Sequence, residues 1–303
     1  MIQFGMIGNG VHSKRIQKIL RKKCFIYKPI GNEEIDRKNF EILKKKKIIF
    51  ICSPNHTHFD YIKKLYKKSY IFCEKPPVTS KKDLKALKKI PYKKLFFNFN
   101  QRFSSISKIL NSSLKIDMGN LLYGNIINSH GLAFKKDYIN SWRSNIEKNN
   151  LGVYETVSIH DIDLINYYYE IKKIIKPKLV NFQNIGSSFD TSYSTILLKN
   201  NGQINIFSTY SSSYTNQWIL MFEHGLIQAT DNEISLHYPT KTFNKSGLFI
   251  KPKKIISLKL PRNEYQKSLE LSVSYFLKKI KLKSNFKKKD FDKSIESNNL
   301  LFT

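Results

Sequence analysis

The sequence predicts an α/β protein, with a doubly wound parallel sheet followed by an α+β domain built on a mostly antiparallel open sheet. Short apolar runs alternate with basic amphipathic stretches through the first hundred residues, as expected for repeated strand and helix. From about residue 120, strand-like segments follow one another with few helices between them. A glycine-containing turn joins the first apolar run to the first amphipathic stretch. These three observations indicate two different sheets.

The predicted strands of the first sheet are short and apolar, which is typical of strands buried on both faces. They are the run from Ile2 to Ile7 and the segments CFIY from residue 24, IIFICS from 48, YIFCE from 70 and LFFNFN from 95. The stretches between them place Ile and Leu at helical spacing among Lys and Arg. One predicted helix begins with a capping pattern, in which Ser80 is followed three residues later by Asp83.

The second half of the chain predicts the antiparallel sheet. Its strand-like segments are LYGNIINSHG, STILLK, QINIFSTYSSS and WILMFEHGLIQAT. One helix interrupts them from about His160 to Tyr169, and a final helix is predicted over 265–280. A chain of 303 residues is long enough for two domains. We place them at residues 1–118 and 119–303.

The charge is unusual, because 53 Lys and Arg against 23 Asp and Glu give a net +30. Such a field attracts nucleic acid, membrane surfaces and other polyanions. However, the lysines occur along the whole chain together with many Ile and Asn, which favours a solvated surface shaped by genome composition. No zinc-finger or RNP-type motif accompanies the charge. We therefore do not predict nucleic-acid binding, and a polyanion-binding protein remains an alternative.

The hydrophobic fraction of 41% is typical of a globular chain. No apolar run approaches the roughly 20 residues that a membrane span needs, and the N-terminus shows no signal-peptide pattern. Cys24, Cys52 and Cys73 form no Cys-x-x-Cys pair and have no metal-ligand spacing, so they are interpreted as buried free thiols. We expect a cytoplasmic protein without a membrane partner or a bound metal.

The segment IGNGVHSKRI, residues 7–16, places Gly8, Gly10 and Ser13 between the first strand and the first helix. In a phosphate-binding turn the first glycine permits the tight turn, the second lets the backbone approach a pyrophosphate, and the third position needs a small residue. The N–H groups of the helix N-terminus then favour an anion. The pattern by itself also fits a plain turn.

Two polar loops follow later strands of the same sheet. SPNHTHFDYIKKL begins at residue 53 after the third strand, and CEKPPVTS begins at residue 73 at the end of the fourth. Ligands bind at the carboxyl ends of strands in open α/β sheets. We therefore expect both loops and the glycine turn to share one edge.

With these motifs in view, the chain resembles the family of glucose-fructose oxidoreductase, inositol dehydrogenase and MocA (Gfo/Idh/MocA). The segments GNGVHS, SPNHTH, EKP, NQRF, WRSN and GVYETVSIHDIDL follow the family's order and cover most of the chain. The resemblance implies a Rossmann domain that holds NAD or NADP and a C-terminal domain for substrate binding and oligomerisation. It implies an oxidoreductase that transfers a hydride to or from a carbinol or keto carbon of a sugar or nucleotide sugar. A homodimer or homotetramer and, by analogy, a place in surface-polysaccharide biosynthesis are also expected.

The resemblance also implies the site residues. Catalytic residues are Lys75 and His160. Cofactor-binding residues are Gly8, Gly10, Val11, His12, Ser13, Lys28, Ser53, Pro54, Asn55, His58, Glu74, Lys75 and Arg102. Substrate-binding residues are Lys75, Trp142, Arg143, Thr156, His160 and Asp163.

The two catalytic candidates suit hydride transfer. A carbinol carbon loses hydride as its hydroxyl proton is removed, and the ammonium of Lys75 would stabilise the developing alkoxide. The imidazole of His160 would accept the proton near neutral pH. The alternatives are a surface lysine and a histidine that caps or packs a helix. Asp163 would bind sugar hydroxyls or pair with a lysine.

The chain departs from the family pattern before His160. Thr156 and Ser158 stand where the best-studied pattern has an aspartate and a glycine. The carboxylate that orients the imidazole is therefore missing unless Glu155 or Asp161 turns inward. A catalytically silent, cofactor-binding member with a regulatory or scaffolding role is the alternative.

The end of the second strand bears on the choice of cofactor. An NAD-preferring Rossmann fold carries Asp or Glu there for the ribose 2′-hydroxyl. This chain has Lys28, whose charge suits a 2′-phosphate. We predict that NADP is accepted and favoured over NAD, although loss of the acidic residue without functional consequence would look the same.

Overall fold

The computed structural model describes residues 4–238 and 243–302. Its strands are β1 (Phe4–Ile7), β2 (Cys24–Tyr27), β3 (Ile48–Ile51), β4 (Tyr70–Glu74), β5 (Leu95–Asn98), β6 (Leu121–Ser129), β7 (Ile171–Val180), β8 (Thr191–Leu198), β9 (Gln203–Thr209), β10 (Thr215–Phe222), β11 (Leu226–Ala229), β12 (Glu233–His237) and β13 (Lys254–Lys259). Its α-helices are α1 (Val11–Leu20), α2 (Glu33–Lys44), α3 (His58–Leu65), α4 (Lys81–Leu87), α5 (Ser105–Ser113), α6 (Ile159–Tyr168), α7 (Glu264–Lys281) and α8 (Lys288–Leu300). Of the strand predicted from Ile2, residues 2 and 3 lie outside the described residues.

The first sheet has the strand order β2-β1-β3-β4-β5, and every neighbouring pair is parallel. All four residues of β1 and β3 are buried, as their continuous apolar sequences predict. The helix over 81–87 begins at its predicted cap, because the Ser80 hydroxyl accepts the Asp83 backbone N–H. The predicted doubly wound parallel sheet is confirmed.

The second sheet has the order β13-β12-β11-β10-β6-β9-β8-β7, in which only β6 and β9 pair in parallel. Buried and exposed residues alternate along β10, as expected for a sheet with one covered face. The predicted mostly antiparallel sheet is confirmed. In the part of the chain that the structure describes, no helix is long and apolar enough to cross a membrane.

The chain forms two compact units, which differ in extent from the predicted domain ranges. One runs to Asn100 and also includes Leu269–Phe302, and the other is Gln101–Ser268. The C-terminal segment joins the first unit because Phe276 packs against Phe50 and Phe72, with ring centroids 5.6 and 5.3 Å apart. Such non-local packing leaves no local signal, and the boundary at residue 118 stays a prediction.

The helix predicted over 265–280 is confirmed as α7, but the expectation that it is the final helix was wrong. Helix α8 follows it, with the sequence KKDFDKSIESNNL. Few apolar residues mark this helix, and Ile295 and Leu300 are the apolar side chains that it buries. Asn298 anchors the helix instead. Its side-chain oxygen accepts the N–H of Val78, and its side-chain amide donates to the Val78 carbonyl. Because polar contacts replace an apolar stripe, periodicity did not reveal the helix.

Candidate functional site

The glycine turn joins β1 to α1 at the carboxyl edge of the first sheet. Gly8 has φ +98°, and its N–H donates to the Tyr27 carbonyl at 2.9 Å. A Cβ added there would come within 2.8 Å of the Cys52 carbonyl oxygen. Only glycine fits this left-handed conformation and close approach to the chain after β3.

Gly10 serves a different purpose from Gly8. Its backbone is extended, and no atom of the described residues outside its immediate neighbours lies within 4 Å of the place a Cβ would take. Ser13, the small residue of the motif, is buried and donates its hydroxyl to the Gly10 carbonyl at 2.7 Å. Helix α1 begins at Val11 without an acidic residue in its first turn. The result is an open backbone cradle at a helix N-terminus, which fits a pyrophosphate.

Lys28 directly follows β2 and is exposed. The carboxylate of Asp36, in the first turn of α2, accepts the N–H groups of Ile30 and Gly31 in the same loop at 3.0 to 3.1 Å. Asp36 therefore stabilises the loop backbone, while a cation stands at the strand end. A cavity in this region is lined by aromatic and charged side chains that sequence patterns did not single out, among them Tyr27, Arg37, Phe40, Tyr61 and Lys64.

The loop after β3 is tied to the loop after β4 by a histidine. His58 is buried, and its two ring nitrogens lie 2.8 Å from the carbonyl oxygens of Pro76 and Ser53. Burial lowers the pKa of His58, and the two carbonyl oxygens partly oppose that effect. Both nitrogens are occupied by main chain, so this side chain holds the two loops together. Pro54 and the buried Asn55 lie between these contacts at the start of a short 3-10 turn.

Glu74 connects the glycine turn with the EKP motif. Its Oε1 accepts from His12 at 2.6 Å and from the Asn98 amide at 2.7 Å. Asn98 in turn accepts the hydroxyl of Ser272 at 2.5 Å. Burial by itself raises the pKa of Glu74, but His12, Asn98 and neighbouring Lys75 outweigh it and hold the pKa below its ordinary value.

Lys75 follows this anchored glutamate and is half-buried. Its peptide bond to Pro76 is cis. The first unit thus brings the glycine turn, the His58 loop and the EKP motif to one edge of its sheet. Sequence reasoning missed Asn98 and Ser272, because neither belongs to a motif.

In the second unit, Arg102 and Asp163 form a buried bidentate ion pair. Arg102 donates from Nε to Oδ2 at 2.8 Å and from Nη2 to Oδ1 at 2.6 Å. The side chains are only 9% and 1% exposed, and the guanidinium lies over the Tyr167 ring at 4.7 Å. Asp163 was expected to bind sugar hydroxyls or a lysine, and the structure pairs it with an arginine.

His160 is half-buried near the start of α6, whose Ile162, Leu164 and Ile165 are buried. The helical segment begins earlier than the sequence indicated, because a π-helical turn over Tyr154–Ser158 precedes α6. Such turns occur frequently at functional sites. The sequence shows no signal for the wider turn.

The residues that replace the family pattern have definite contacts. Ser158 lies 3.0 and 2.8 Å from the hydroxyls of Ser192 and Ser208, so a small polar residue fits where the sheet approaches the helix. Glu155 and Asp161 are both fully buried, and Asp161 accepts from the Asn128 amide at 2.6 Å. Both carboxylates therefore do turn into the second unit.

Thr156 belongs to a chain of hydrogen bonds around a buried tyrosine. Thr156 donates to the Gly152 carbonyl at 3.0 Å, so the Tyr210 hydroxyl, 2.5 Å away, donates to Thr156. Burial raises the pKa of Tyr210, and the nearby positive charge of Arg143 partly opposes this rise. The Arg143 guanidinium lies over the Trp142 ring at 4.5 Å. The structure thus connects Trp142, Arg143 and Thr156 through Tyr210, which lies after β9 and was not predicted.

A doubly wound parallel sheet with an open glycine turn after its first strand has the architecture of the Rossmann fold. Residues 12–94 match the model of a family described as an oxidoreductase family with an NAD-binding Rossmann fold, GFO_IDH_MocA. The match confirms the resemblance seen in the motifs.

Solved structures share the fold of the whole chain at low identity. Levoglucosan dehydrogenase in complex with NADH and levoglucosan aligns with a TM-score of 0.79 at 15% identity, covering 99% of this chain and 96% of that one. A myo-inositol dehydrogenase from Corynebacterium glutamicum aligns with a TM-score of 0.69 at 19% identity, covering 100% and 95%. GenD2 from gentamicin A biosynthesis, in complex with NAD, aligns with a TM-score of 0.74 at 9% identity, covering 99% and 92%. A comparison with curated proteins finds no match.

Proposed function

We propose that the protein is an NAD(P)-dependent oxidoreductase that acts on a carbinol or keto carbon of a sugar or nucleotide sugar. The observation that carries the proposal is the open cradle at Gly10, on the same sheet edge as Lys75. The family match over residues 12–94 supports the cofactor class. The sugar dehydrogenases among the structures of the same fold support the substrate class.

The chain's own residues would divide the work as follows. A nicotinamide, when bound, supplies the hydride acceptor or donor. Lys75 orients the substrate oxygen and stabilises negative charge on it. His160 takes or returns the hydroxyl proton. Glu74, held by His12 and Asn98, fixes the backbone from which Lys75 projects.

The preference for NADP over NAD is part of this proposal. Lys28 stands at the strand end where an acidic residue would bind the ribose 2′-hydroxyl. The carboxylate of Asp36, in the first turn of α2, is engaged by the backbone N–H groups of Ile30 and Gly31. A 2′-phosphate would meet a cation there and no competing carboxylate from Asp36.

A fluorescence titration with NADPH and NADH, at low and high salt, tests the cofactor site. The matched variants are Gly10→Ala and Asn9→Ala, both at exposed positions of the turn. Because a Cβ at Gly10 meets no protein atom, the variant should keep the Tm of the wild type. Its Cβ would occupy the cradle, so we expect at least a tenfold loss of cofactor affinity, with Asn9→Ala unchanged. Equal affinity in all three proteins would contradict the proposed cradle.

Turnover separates the enzyme from the catalytically silent alternative, which the Thr156 hydroxyl in place of a carboxylate favours. NADPH or NADH formation is followed over neutral sugars, sugar acids and nucleotide sugars. In an enzyme, Lys75→Met and His160→Asn should lose most activity while keeping cofactor affinity. Cofactor binding without turnover on any of these compounds would favour a regulatory or scaffolding role.

A further inference from the structure

Arg143 stands out among the charged side chains of the second unit. It is half-buried, and its guanidinium lies over the Trp142 ring at 4.5 Å. Its backbone is fixed on both sides, because its N–H donates to the Ser141 hydroxyl and its carbonyl accepts from the Asn149 amide. The Arg143 side chain is therefore held by a rigid turn and by the Trp142 ring.

The nearby hydroxyl groups form a chain with one direction. Tyr210 donates to Thr156, and Thr156 donates to the Gly152 carbonyl, while the nearby Arg143 charge acts on the Tyr210 hydroxyl. Each hydroxyl hydrogen in this chain is used by the next acceptor. A guanidinium has five N–H donors in a planar fork, and the Tyr210 oxygen cannot satisfy them all.

The next feature of Arg143 concerns the negative charges around its guanidinium. Within residues 4–238 and 243–302, no carboxylate forms an ion pair with Arg143. Glu155 acts electrostatically on the Tyr210 hydroxyl. By contrast, Arg102 in the same unit is fully paired with Asp163. A half-buried, stacked guanidinium without an acidic partner is suited to an oxyanion brought by a ligand.

We propose that Arg143 binds an anionic group of the substrate, a carboxylate or a phosphate, so that the enzyme acts on an acidic sugar or a sugar phosphate ester rather than a neutral sugar. This inference rests on the proposed function and narrows its substrate class. The Trp142 ring and the fixed backbone hold the guanidinium in place, while its N–H groups meet the oxyanion. The net charge of +30 would also raise the encounter rate with such a substrate.

The test measures ligand binding to the NADPH-saturated full chain by calorimetry, so it does not depend on turnover. The probes are hexoses, the matching hexuronates and the matching UDP-hexoses, each in gluco, galacto and manno configuration. Hexuronates report a carboxylate and UDP-hexoses a phosphate. The variants are Arg143→Gln and Arg143→Lys, with Arg262→Gln as an exposed control that removes the same charge.

We expect an anionic probe to bind more tightly than its neutral counterpart, and Arg143→Gln to weaken that binding at least tenfold. Arg143→Lys should retain part of the affinity, because it keeps the charge and loses the fork. Arg262→Gln should bind as the wild type does. The inference is overturned if neutral and anionic probes bind with the same affinity, or if no anionic probe binds. It is also overturned if Arg262→Gln loses as much affinity for the anionic probe as Arg143→Gln does.

NADPH titrations of the same samples distinguish a failure of the proposed function from a failure of the anionic-substrate inference. If the wild type does not bind NADPH, the proposed function is wrong. If it binds NADPH and the sugar results contradict the role of Arg143, only the anionic substrate is wrong. Unchanged NADPH affinity and Tm in Arg143→Gln show that the variant has folded.

Discussion

At the scale of single residues, Glu74 is the group whose ionisation the structure controls most directly. His12 from the first turn of α1, Asn98 from β5 and the adjacent Lys75 face it, and their combined effect lowers its pKa despite burial. Burial raises the pKa of the Cys52 and Cys73 thiols, and the nearby Glu74 carboxylate adds to this rise. The ionised carboxylate therefore contributes to the stability of the first unit.

The pH dependence of stability follows from the direction of this shift. A lowered carboxylate pKa adds stability that is present above the ordinary value, about 4.3 for glutamate, and is lost as the pH falls through the lowered value. Glu74→Gln should lower the free energy of unfolding by about 1.5 to 3 kcal/mol at neutral pH, the range of hydrogen bonds to charged groups. The difference from the wild type should shrink below about pH 4. Urea unfolding from pH 3 to 7 measures it, with the exposed Glu41→Gln as control, and a difference that stays constant with pH would contradict the assignment.

At the scale of secondary-structure elements, the Arg102–Asp163 pair fastens the 3-10 turn over Asn100–Phe103 to α6, the helix that carries His160. Both charges are nearly excluded from water. Removal of one partner from such a pair leaves an uncompensated buried charge, whereas replacement of both by apolar groups is often neutral.

We therefore predict that Arg102→Leu lowers the free energy of unfolding by about 3 to 5 kcal/mol. The double variant Arg102→Leu with Asp163→Leu should recover most of this loss. Chemical denaturation measures both free energies of unfolding. Lys63→Met, which breaks the exposed Lys63–Asp60 pair, should leave the free energy of unfolding nearly unchanged, because solvent screens exposed ion pairs.

The same double variant tests the assignment of Arg102 to the cofactor. If stability and NADPH affinity recover together, Arg102 acts through the fold and the prediction of a cofactor contact is wrong. If stability recovers and affinity does not, the guanidinium contributes to cofactor binding.

At the scale of the whole molecule, the outward face of the second sheet bears on the expected oligomer. Its exposed apolar side chains, between 37% and 49% exposed, include Tyr123 of β6, Tyr193 of β8 and Ile219 and Met221 of β10. Exposed apolar patches on this scale are typical of protein interaction sites. The face supports the proposal of a homodimer or homotetramer.

We predict that Ile219→Glu shifts the protein toward the monomer without unfolding it, because its side chain lies on the exposed face of β10. Size-exclusion chromatography with light scattering measures the mass, and circular dichroism checks the fold. Leu248→Glu, at another exposed apolar position, is the control. A wild-type protein that is monomeric at high micromolar concentration would contradict the expected oligomer.

Much of the fold could be predicted from local patterns. The apolar runs of β1 and β3, the glycines at 8 and 10 and the Ser80 cap each depend on neighbouring residues in the chain. Helix α8 was missed because polar contacts with Val78 stabilise it. The π-helical turn before α6 was missed because no local pattern marks it.

The sequence by itself determined the alternation of strand and helix in the first sheet, the two kinds of sheet and the position of the glycine turn, because hydrophobic period and glycine conformation are local properties. The tertiary structure alone decided that His12 meets Glu74 across 62 residues, that Arg102 meets Asp163 across 61, and that Tyr210 lies between Arg143 and Thr156. These partners depend on how distant segments are brought together by the sheets. The charge that each polar side chain faces, and hence its chemistry, is therefore fixed only once the chain has folded.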